Sequence, residues 1–384
     1  MKITSKSQLN DDQNFSMDLF KEPFCSNELN KFKRAETIKD FKNKSFFSAS
    51  KEFNNLGKIL IVSGPARNGN HLLVSLLDYH SQILPIAGED CLFREFLSRV
   101  KENEDKAIND LTGKNNIEYI LGMSGAYFDK WKTLHHFYKD RSVEASHIWT
   151  GQQKDNSSPS YDFQEVIPEI NYLKFKEYLF SNQKKIQNIE NFLDFFAIYL
   201  KALKYLVGME NNHNLKYLYF WCLSGIRREL FFLLERCSNI ICLSPIRKFE
   251  TFYHSYAKSR FSTNDVEQEP LNELWEYWRH KTIDYLILKN KYPKNINLIQ
   301  FEDLIKNRKN IITKILNNLD IDFEESNNIT SVLGKINKGN SSFRKSSRHM
   351  GKVYKEVLNT KFTNKTDLPK EYYQILEEVK KNSL

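Results

Sequence analysis

The sequence of 384 residues contains few cysteines, and no two of them form a Cys-x-x-Cys pair. This shortage argues against a zinc site and against a disulfide framework, so we expect free thiols in a reducing compartment. Histidine, aspartate and glutamate also do not cluster with metal-ligand spacing, and no metal is expected. The five cysteines are Cys25, Cys91, Cys222, Cys237 and Cys242.

Long hydrophobic runs are also missing. Residues 1–15 contain no apolar segment of the kind found in secretory signals, and no run approaches the roughly 18–20 apolar residues that cross a bilayer. The richest apolar stretch, residues 192–207, is interrupted by Lys201 and Lys204 and predicts a buried helix. We therefore expect a cytoplasmic protein without a membrane span.

The bulk composition is that of a soluble globular protein, with 40% hydrophobic and 27% charged residues. The formal net charge is +9 and the isoelectric point is near 9.0. Such an excess of positive charge favours an anionic ligand, whether a nucleotide, nucleic acid, an acidic glycan or a membrane surface. Charge alone does not distinguish among these.

The organisation of the chain predicts an α/β fold with a central, mostly parallel sheet flanked by helices. Residues 1–50 are polar and predict a tail or an arm laid over the domain. Residues 51–384 are expected to form a single α/β domain, in which an aromatic-rich helical insertion at 95–215 covers the sheet and shapes a substrate pocket. The first strong element is a β-branched run at 58–64, which predicts a strand buried on both faces, followed by a loop and a helix.

The second half of the chain repeats this alternation of strands and helices, as expected for a parallel sheet. The apolar patterns predict strands at 215–223, 239–246 and 295–301, and helices at 226–237, 247–261, 303–319 and 367–382.

The loop after the first predicted strand reads Gly-Pro-Ala-Arg-Asn-Gly-Asn-His, from Gly64. Glycines that let the backbone approach closely, followed by a helix N-terminus, are typical of a phosphate-binding loop. The spacing of Gly64 and Gly69 matches the first half of a nucleotide-triphosphatase P-loop, which continues with Lys and then Ser or Thr. Asn70 and His71 occupy those two positions, which argues against an ATPase or GTPase.

This loop resembles the 5′-phosphosulfate-binding loop of the sulfotransferases that use 3′-phosphoadenosine 5′-phosphosulfate (PAPS). In that family the basic residue lies two positions before the glycine, where this chain has Arg67 before Gly69. Asn68, Asn70 and His71 replace the family's usual Ser and Thr, but Asn and His can also donate to a phosphate oxygen. The resemblance implies a P-loop-NTPase-like sulfotransferase fold, with these five residues at the nucleotide.

A second segment, residues 239–261, resembles the family's 3′-phosphate-binding element. Arg247 and Ser255 match its arginine and serine, with the family's spacing of eight residues. Arg247 is expected at the carboxyl end of a strand, where ligands bind in open α/β sheets. Ser255 shares a helix face with Thr251 and can point towards the same anion.

Two further segments resemble the family. Glu302 and Asp303 belong to a strand-then-Glu-Asp-Leu segment, where we expect them to interact favourably with a helix N-terminus. Arg344, Lys345 and Gly351 loosely resemble an Arg-Lys-Gly contact to the 3′-phosphate, although a solvated basic loop explains them equally well. The resemblance as a whole covers residues 58–95 and 216–384.

The resemblance also implies a catalytic base. Gly88 and Glu89 follow the first helix and resemble the Gly-Glu-Glu segment of the tyrosylprotein enzymes, so Glu89 is the candidate general base. Arg67 would stabilise charge on the leaving phosphate oxygen, and His71 could assist. His80 is interpreted as a helix-end residue.

The implied reaction moves a sulfuryl group from PAPS, leaving 3′-phosphoadenosine 5′-phosphate (PAP), to an acceptor hydroxyl or amine. The acceptor stays open among a saccharide, a small metabolite and a protein side chain. The alternatives are a P-loop small-molecule kinase, which lacks its lysine here, and a catalytically inactive nucleotide-binding protein. A basic RNA-binding protein is a further reading, but no RNA-binding motif is present and nucleic acid is not an expected partner.

Overall fold

The computed structural model describes residues 41–65, 68–78, 80–84, 92–123, 171–221, 227–253, 271–329, 331–332, 335–336 and 370–384. The helices are α1 Lys51–Asn54, α2 Asn70–Leu77, α3 Leu92–Glu102, α4 Glu104–Thr112, α5 Tyr172–Ser181, α6 Gln183–Gln187, α7 Phe192–Leu206, α8 Arg227–Arg236, α9 Leu271–Lys291, α10 Phe301–Lys306, α11 Arg308–Asn318 and α12 Lys370–Asn382, with a 3-10 turn at Glu325–Asn328. The strands are β1 Lys58–Val62, β2 Tyr217–Trp221, β3 Ile240–Ile246, β4 Ile296–Gln300, β5 Ser331–Val332 and β6 Lys335–Ile336.

A four-stranded parallel sheet forms the centre of the described fold, in the order β2-β1-β3-β4. Leu60 of β1 lies opposite Tyr219 of β2 on one side and Ile241 of β3 on the other. Every residue of β1 after Lys58 is buried. Because successive strand residues point to opposite faces, both faces of β1 are covered. The predicted α/β fold with a parallel sheet is confirmed.

The strand order changes direction beside β1. The chain passes from β1 to β2 on one side, and then returns to add β3 and β4 on the other. Between β1 and β3 the connections that leave the carboxyl ends therefore diverge. In open α/β sheets this is the place where a crevice forms and ligands bind.

The end of β4 departs from the sequence-based prediction. The predicted strand extended through Phe301, but β4 ends at Gln300 and Phe301 begins α10. The single helix predicted at 303–319 is divided into α10 and α11 by Asn307, whose φ of −126° and ψ of 44° lie outside the helical region. Asparagine leaves the helical conformation readily, because its side chain competes for backbone hydrogen bonds.

The described part of 95–215 is helical and packs through phenylalanines. In α7, the predicted buried helix is confirmed, and the ring of Phe192 stacks on Phe96 of α3 at 4.5 Å between centroids and 3° between planes. Phe46 and Phe47, from the end of the predicted arm, are buried in the same core. The role of the insertion in an acceptor pocket stays a prediction.

Two cysteines lie within the described ranges, and both are buried free thiols. Burial raises the pKa of Cys237 to about 12 and also raises the pKa of Cys242. Neither thiol is therefore suited to act as a nucleophile near neutral pH. Among the described helices, none has the length and apolar character that crossing a bilayer requires.

Candidate functional site

Three neighbouring strands end at one edge of the sheet, and their following residues meet there. The loop after β1 contributes Asn68 and Gly69, and Arg247 follows β3 directly. Phe301 and Glu302 follow β4 at the start of α10. The parallel strands bring these residues together from distant parts of the sequence, near the point where the strand order reverses beside β1.

The two glycines of the loop occupy positions that exclude any side chain. Gly69 caps α2 with a left-handed φ of 103°, and a Cβ atom there would lie 2.4 Å from Cδ2 of Phe301. A Cβ atom on Gly64 would lie 2.6 Å from the carbonyl oxygen of Pro245. The glycine spacing therefore reflects a loop packed directly against the ends of β3 and β4.

The two asparagines of the loop hold it in place. The buried Asn68 accepts a hydrogen bond on Oδ1 from the backbone N–H of Arg247, at 2.5 Å. Asn70 donates from Nδ2 to the carbonyl oxygens of Gly64 at 3.0 Å and Pro65 at 3.3 Å. The Asn70 amide thus closes the loop on itself, and the main-chain N–H groups at the start of α2 are the natural donors to a bound anion.

Arg247 is anchored on several sides. Its backbone N–H is bound by Asn68, and its carbonyl oxygen accepts a hydrogen bond from Nε1 of Trp278 at 2.7 Å. Its side-chain Nε donates to Oγ1 of Thr251 at 3.0 Å, and its guanidinium carbon lies 4.3 Å from the ring centroid of Phe301. Arg247 is buried, with 8% of its surface exposed, and these contacts restrain the direction of its guanidinium.

Glu302 has a larger role than the predicted interaction with a helix N-terminus. It lies in the first turn of α10 as expected, but its carboxylate also accepts hydrogen bonds from Oγ1 of Thr251 at 2.7 Å and the backbone N–H of Lys248 at 3.1 Å. Burial raises the pKa of Glu302, while the hydrogen bond from Thr251 and the charge of Arg247 act in the opposite direction.

Sequence reasoning did not find the parts that Phe301 and Trp278 play. Phe301 belongs to the matched Glu-Asp-Leu segment, but its position in the sequence does not reveal that its ring touches both Gly69 and Arg247. Trp278 lies within α9 and carries no motif. The available signal was an aromatic residue at the carboxyl end of a predicted strand, at the edge of the sheet where the loop was expected.

Some predicted site residues lie outside the described residues. Of His71, the structure describes the backbone, within α2, and not the side chain. The roles of these residues stay predictions. They are Arg67, Glu89, Ser255, Arg344, Lys345 and Gly351.

His80 has the structural role that the sequence predicted. It is buried just beyond α2, where Nε2 donates to the carbonyl oxygen of Asp322 at 2.8 Å and Nδ1 accepts from the backbone N–H of Gln82 at 3.1 Å. Both ring nitrogens are therefore occupied, which leaves no nitrogen for proton transfer to a substrate.

The described residues form a candidate anion-binding site. The N-terminus of α2 lies at Gly69, where main-chain N–H groups without helical partners can donate to an anion. The buried Arg247, one strand away, provides a planar cation suited to a second phosphate.

No protein-family model matches the chain, and no curated protein sequence matches it. Among solved structures, the sulfotransferase domain from the Synechococcus PCC 7002 olefin synthase is 14% identical with a TM-score of 0.48, and the match covers 83% of this chain and 93% of that one. The sulfotransferase domain from the curacin biosynthetic pathway is 13% identical with a TM-score of 0.44, over 84% of this chain and 98% of that one.

Proposed function

We propose that this protein is a sulfotransferase that transfers a sulfuryl group from PAPS to a hydroxyl or amine of an acceptor. The observation that carries the proposal is the hydrogen bond between Asn68 and the backbone of Arg247. It joins the loop that resembles the 5′-phosphosulfate element to the arginine of the 3′-phosphate element. A ligand that contacts both elements would need phosphate groups at the 5′ and 3′ positions of one nucleoside.

The kinase alternative receives less support from the loop. A P-loop kinase places a lysine on the β- and γ-phosphates and a Ser or Thr hydroxyl on Mg²⁺. Asn70 stands at the lysine position, and its amide nitrogen is bonded to the loop's own carbonyl oxygens. The chain therefore offers an anion cradle without the usual groups for a triphosphate and its metal.

When bound, the nucleotide supplies the sulfuryl group and PAP as leaving group. In the proposed reaction the acceptor oxygen or nitrogen forms a bond to sulfur as the bond from sulfur to the phosphate oxygen breaks. Glu89 takes the proton from the acceptor, while Arg67 and His71 stabilise the negative charge that develops on the phosphate oxygen. Arg247 and Ser255 bind the 3′-phosphate and hold the nucleotide in register for this in-line displacement.

The acceptor is proposed only as a class. A saccharide, a small metabolite and a protein side chain each carry a suitable nucleophile, and the helical insertion at 95–215 would select among them. Arg344, Lys345 and Gly351 would close over the 3′-phosphate. We also propose that the reaction takes place in the cytoplasm.

The substitution Glu89→Gln tests the reaction. It removes the proton acceptor but retains the shape of the side chain, so we expect turnover with sulfur-labelled PAPS to fall by about 100-fold or more. Affinity for PAP should stay within about twofold, since Glu89 faces the acceptor in the proposal.

Asp90→Asn is the matched control, because it removes the neighbouring carboxylate. Unchanged turnover in Glu89→Gln would remove Glu89 from the mechanism. A wild-type protein that binds PAP but transfers no sulfuryl group to any acceptor in a broad screen would favour the inactive nucleotide-binding alternative.

A further inference from the structure

Phe301 lies between the two halves of the proposed nucleotide site. Its ring is so close to the loop that a Cβ atom on Gly69 would lie 2.4 Å from Cδ2. The same ring lies 4.3 Å from the guanidinium carbon of Arg247. One side chain therefore packs against both the loop after β1 and the guanidinium of the arginine after β3.

Glu302 fixes the same arginine from another direction. The Arg247 Nε–H donates to Oγ1 of Thr251 at 3.0 Å, and the Thr251 hydroxyl is 2.7 Å from Oε1 of Glu302. Glu302 also accepts a hydrogen bond from the backbone N–H of Lys248, the residue after Arg247. The side chain and the adjoining backbone of Arg247 are thus tied to the start of α10.

A buried carboxylate at this place needs an explanation, because it opposes a nearby anion electrostatically and its burial is costly. Glu302 is 6% exposed, and Thr251 stands between it and Arg247. The arrangement restrains the arginine rather than adding charge. A long arginine side chain loses rotamer freedom when it binds a ligand, and a side chain already restrained loses less.

We propose that Phe301, Thr251 and Glu302 are positioning residues, which orient Arg247 so that the site selects nucleotides with a 3′-phosphate. The inference rests on the proposed function, in which Arg247 binds that phosphate. Adenosine 5′-phosphate lacks the 3′-phosphate and uses the loop alone. Loss of the positioning contacts therefore weakens PAP binding and leaves adenosine 5′-phosphate binding nearly unchanged.

The test is calorimetric titration of the full chain with PAP and with adenosine 5′-phosphate. Thr251→Val keeps the side-chain shape but removes the hydroxyl between Arg247 and Glu302, and Phe301→Leu removes the aromatic face under the guanidinium. Each substitution should weaken PAP binding about tenfold, which corresponds to the free energy of a desolvated cation–π contact or of a hydrogen bond to a charged group. Adenosine 5′-phosphate binding should change by less than about twofold. Phe301→Tyr retains the aromatic face and should restore PAP affinity to within about threefold.

Equal weakening of both ligands in Thr251→Val and Phe301→Leu would show a merely structural role and overturn the inference. Unchanged PAP affinity in Thr251→Val would also overturn it, even if Phe301→Leu does not fold. These outcomes concern the variants, whereas a failure of the proposed function would already be measured in the unmodified protein. A wild-type protein without preference for PAP over adenosine 5′-phosphate overturns both.

Discussion

At the scale of single residues, the surroundings of Arg247 explain how a nearly buried guanidinium is accommodated. A charged group taken out of water is costly unless hydrogen bonds or an opposite charge compensate. Here a hydroxyl accepts from Nε, an aromatic face covers the guanidinium, and the buried Glu302 lies behind Thr251. These contacts also fix the direction of the arginine, which a solvated lysine at the surface would not achieve.

Glu302 gives rise to a pH-dependent prediction. Burial raises the pKa of Glu302 above its value in the unfolded chain, so the folded state binds the carboxyl proton more tightly. The stability gained from this protonation is full below the unfolded pKa and is lost as pH rises through the folded pKa. Glu302→Gln keeps an acceptor oxygen for Thr251 but cannot ionise. We expect the free energy of unfolding of Glu302→Gln, relative to wild type, to increase from pH 5 to pH 8. Urea denaturation across this range measures it.

The exposed Glu377 provides the control, since Glu377→Gln removes a carboxylate from the surface of α12. Its stability relative to wild type should show little change over the same pH range. A difference between Glu302→Gln and wild type that stays constant with pH, or decreases, would contradict a raised pKa at Glu302.

The residue scale also shows the limit of sequence reasoning. Asn68 and Arg247 were predicted to share a site from two separate motifs, and the structure places them in contact. The contact of Phe301 with both Gly69 and Arg247 was not predictable, because it depends on which strand ends are neighbours. A motif identifies residues that act on a ligand more readily than residues that hold those residues in place.

At the scale of elements, the apolar patterns predicted the strands of the sheet because both faces are covered. A strand buried on both faces is a nearly continuous apolar run, as in β1 after Lys58 and in β3 apart from Ser244. Boundaries were harder to predict. An apolar Phe301 continues the pattern of β4 although the backbone has already turned into α10, and Asn307 interrupts a pattern that remains periodic on both sides.

The attachment of α12 to α9 is expected to depend on an ion pair. Arg279 of α9 is 3% exposed, and its Nη2 lies 2.7 Å from Oε1 of Glu371 and its Nη1 3.5 Å from Oε2 of Glu276. Glu371→Ala leaves the buried guanidinium with weaker compensation. We expect a loss of about 3 kcal/mol in the free energy of unfolding, at the lower end of the range for a broken buried pair, because Glu276 remains.

Equilibrium denaturation compares Glu371→Ala with Glu377→Ala, which removes an exposed carboxylate from the same helix. The control should change stability by less than about 0.5 kcal/mol. Equal effects of the two substitutions would mean that the Arg279–Glu371 pair contributes no more than a surface charge.

At the scale of the whole molecule, the sequence predicted a parallel α/β sheet but not the strand order. Alternating strands and helices predict parallel strands, yet they do not say on which side of β1 each later strand is added. The order β2-β1-β3-β4 is what places the loop after β1 beside Arg247. The net charge of +9 indicated an anionic partner without locating its site.

The central claim is that this site binds a nucleotide with phosphates at both the 3′ and 5′ positions. The most direct measurement is calorimetric titration of the full chain with PAP, beside ATP and GTP with Mg²⁺. We expect PAP to bind without metal. Arg247→Met retains much of the side-chain volume but removes the charge, and it should weaken this binding at least about tenfold. Lys248→Ala removes the neighbouring exposed charge and should have little effect. No binding of PAP, or a preference for ATP with Mg²⁺, would contradict the sulfotransferase proposal and favour a kinase.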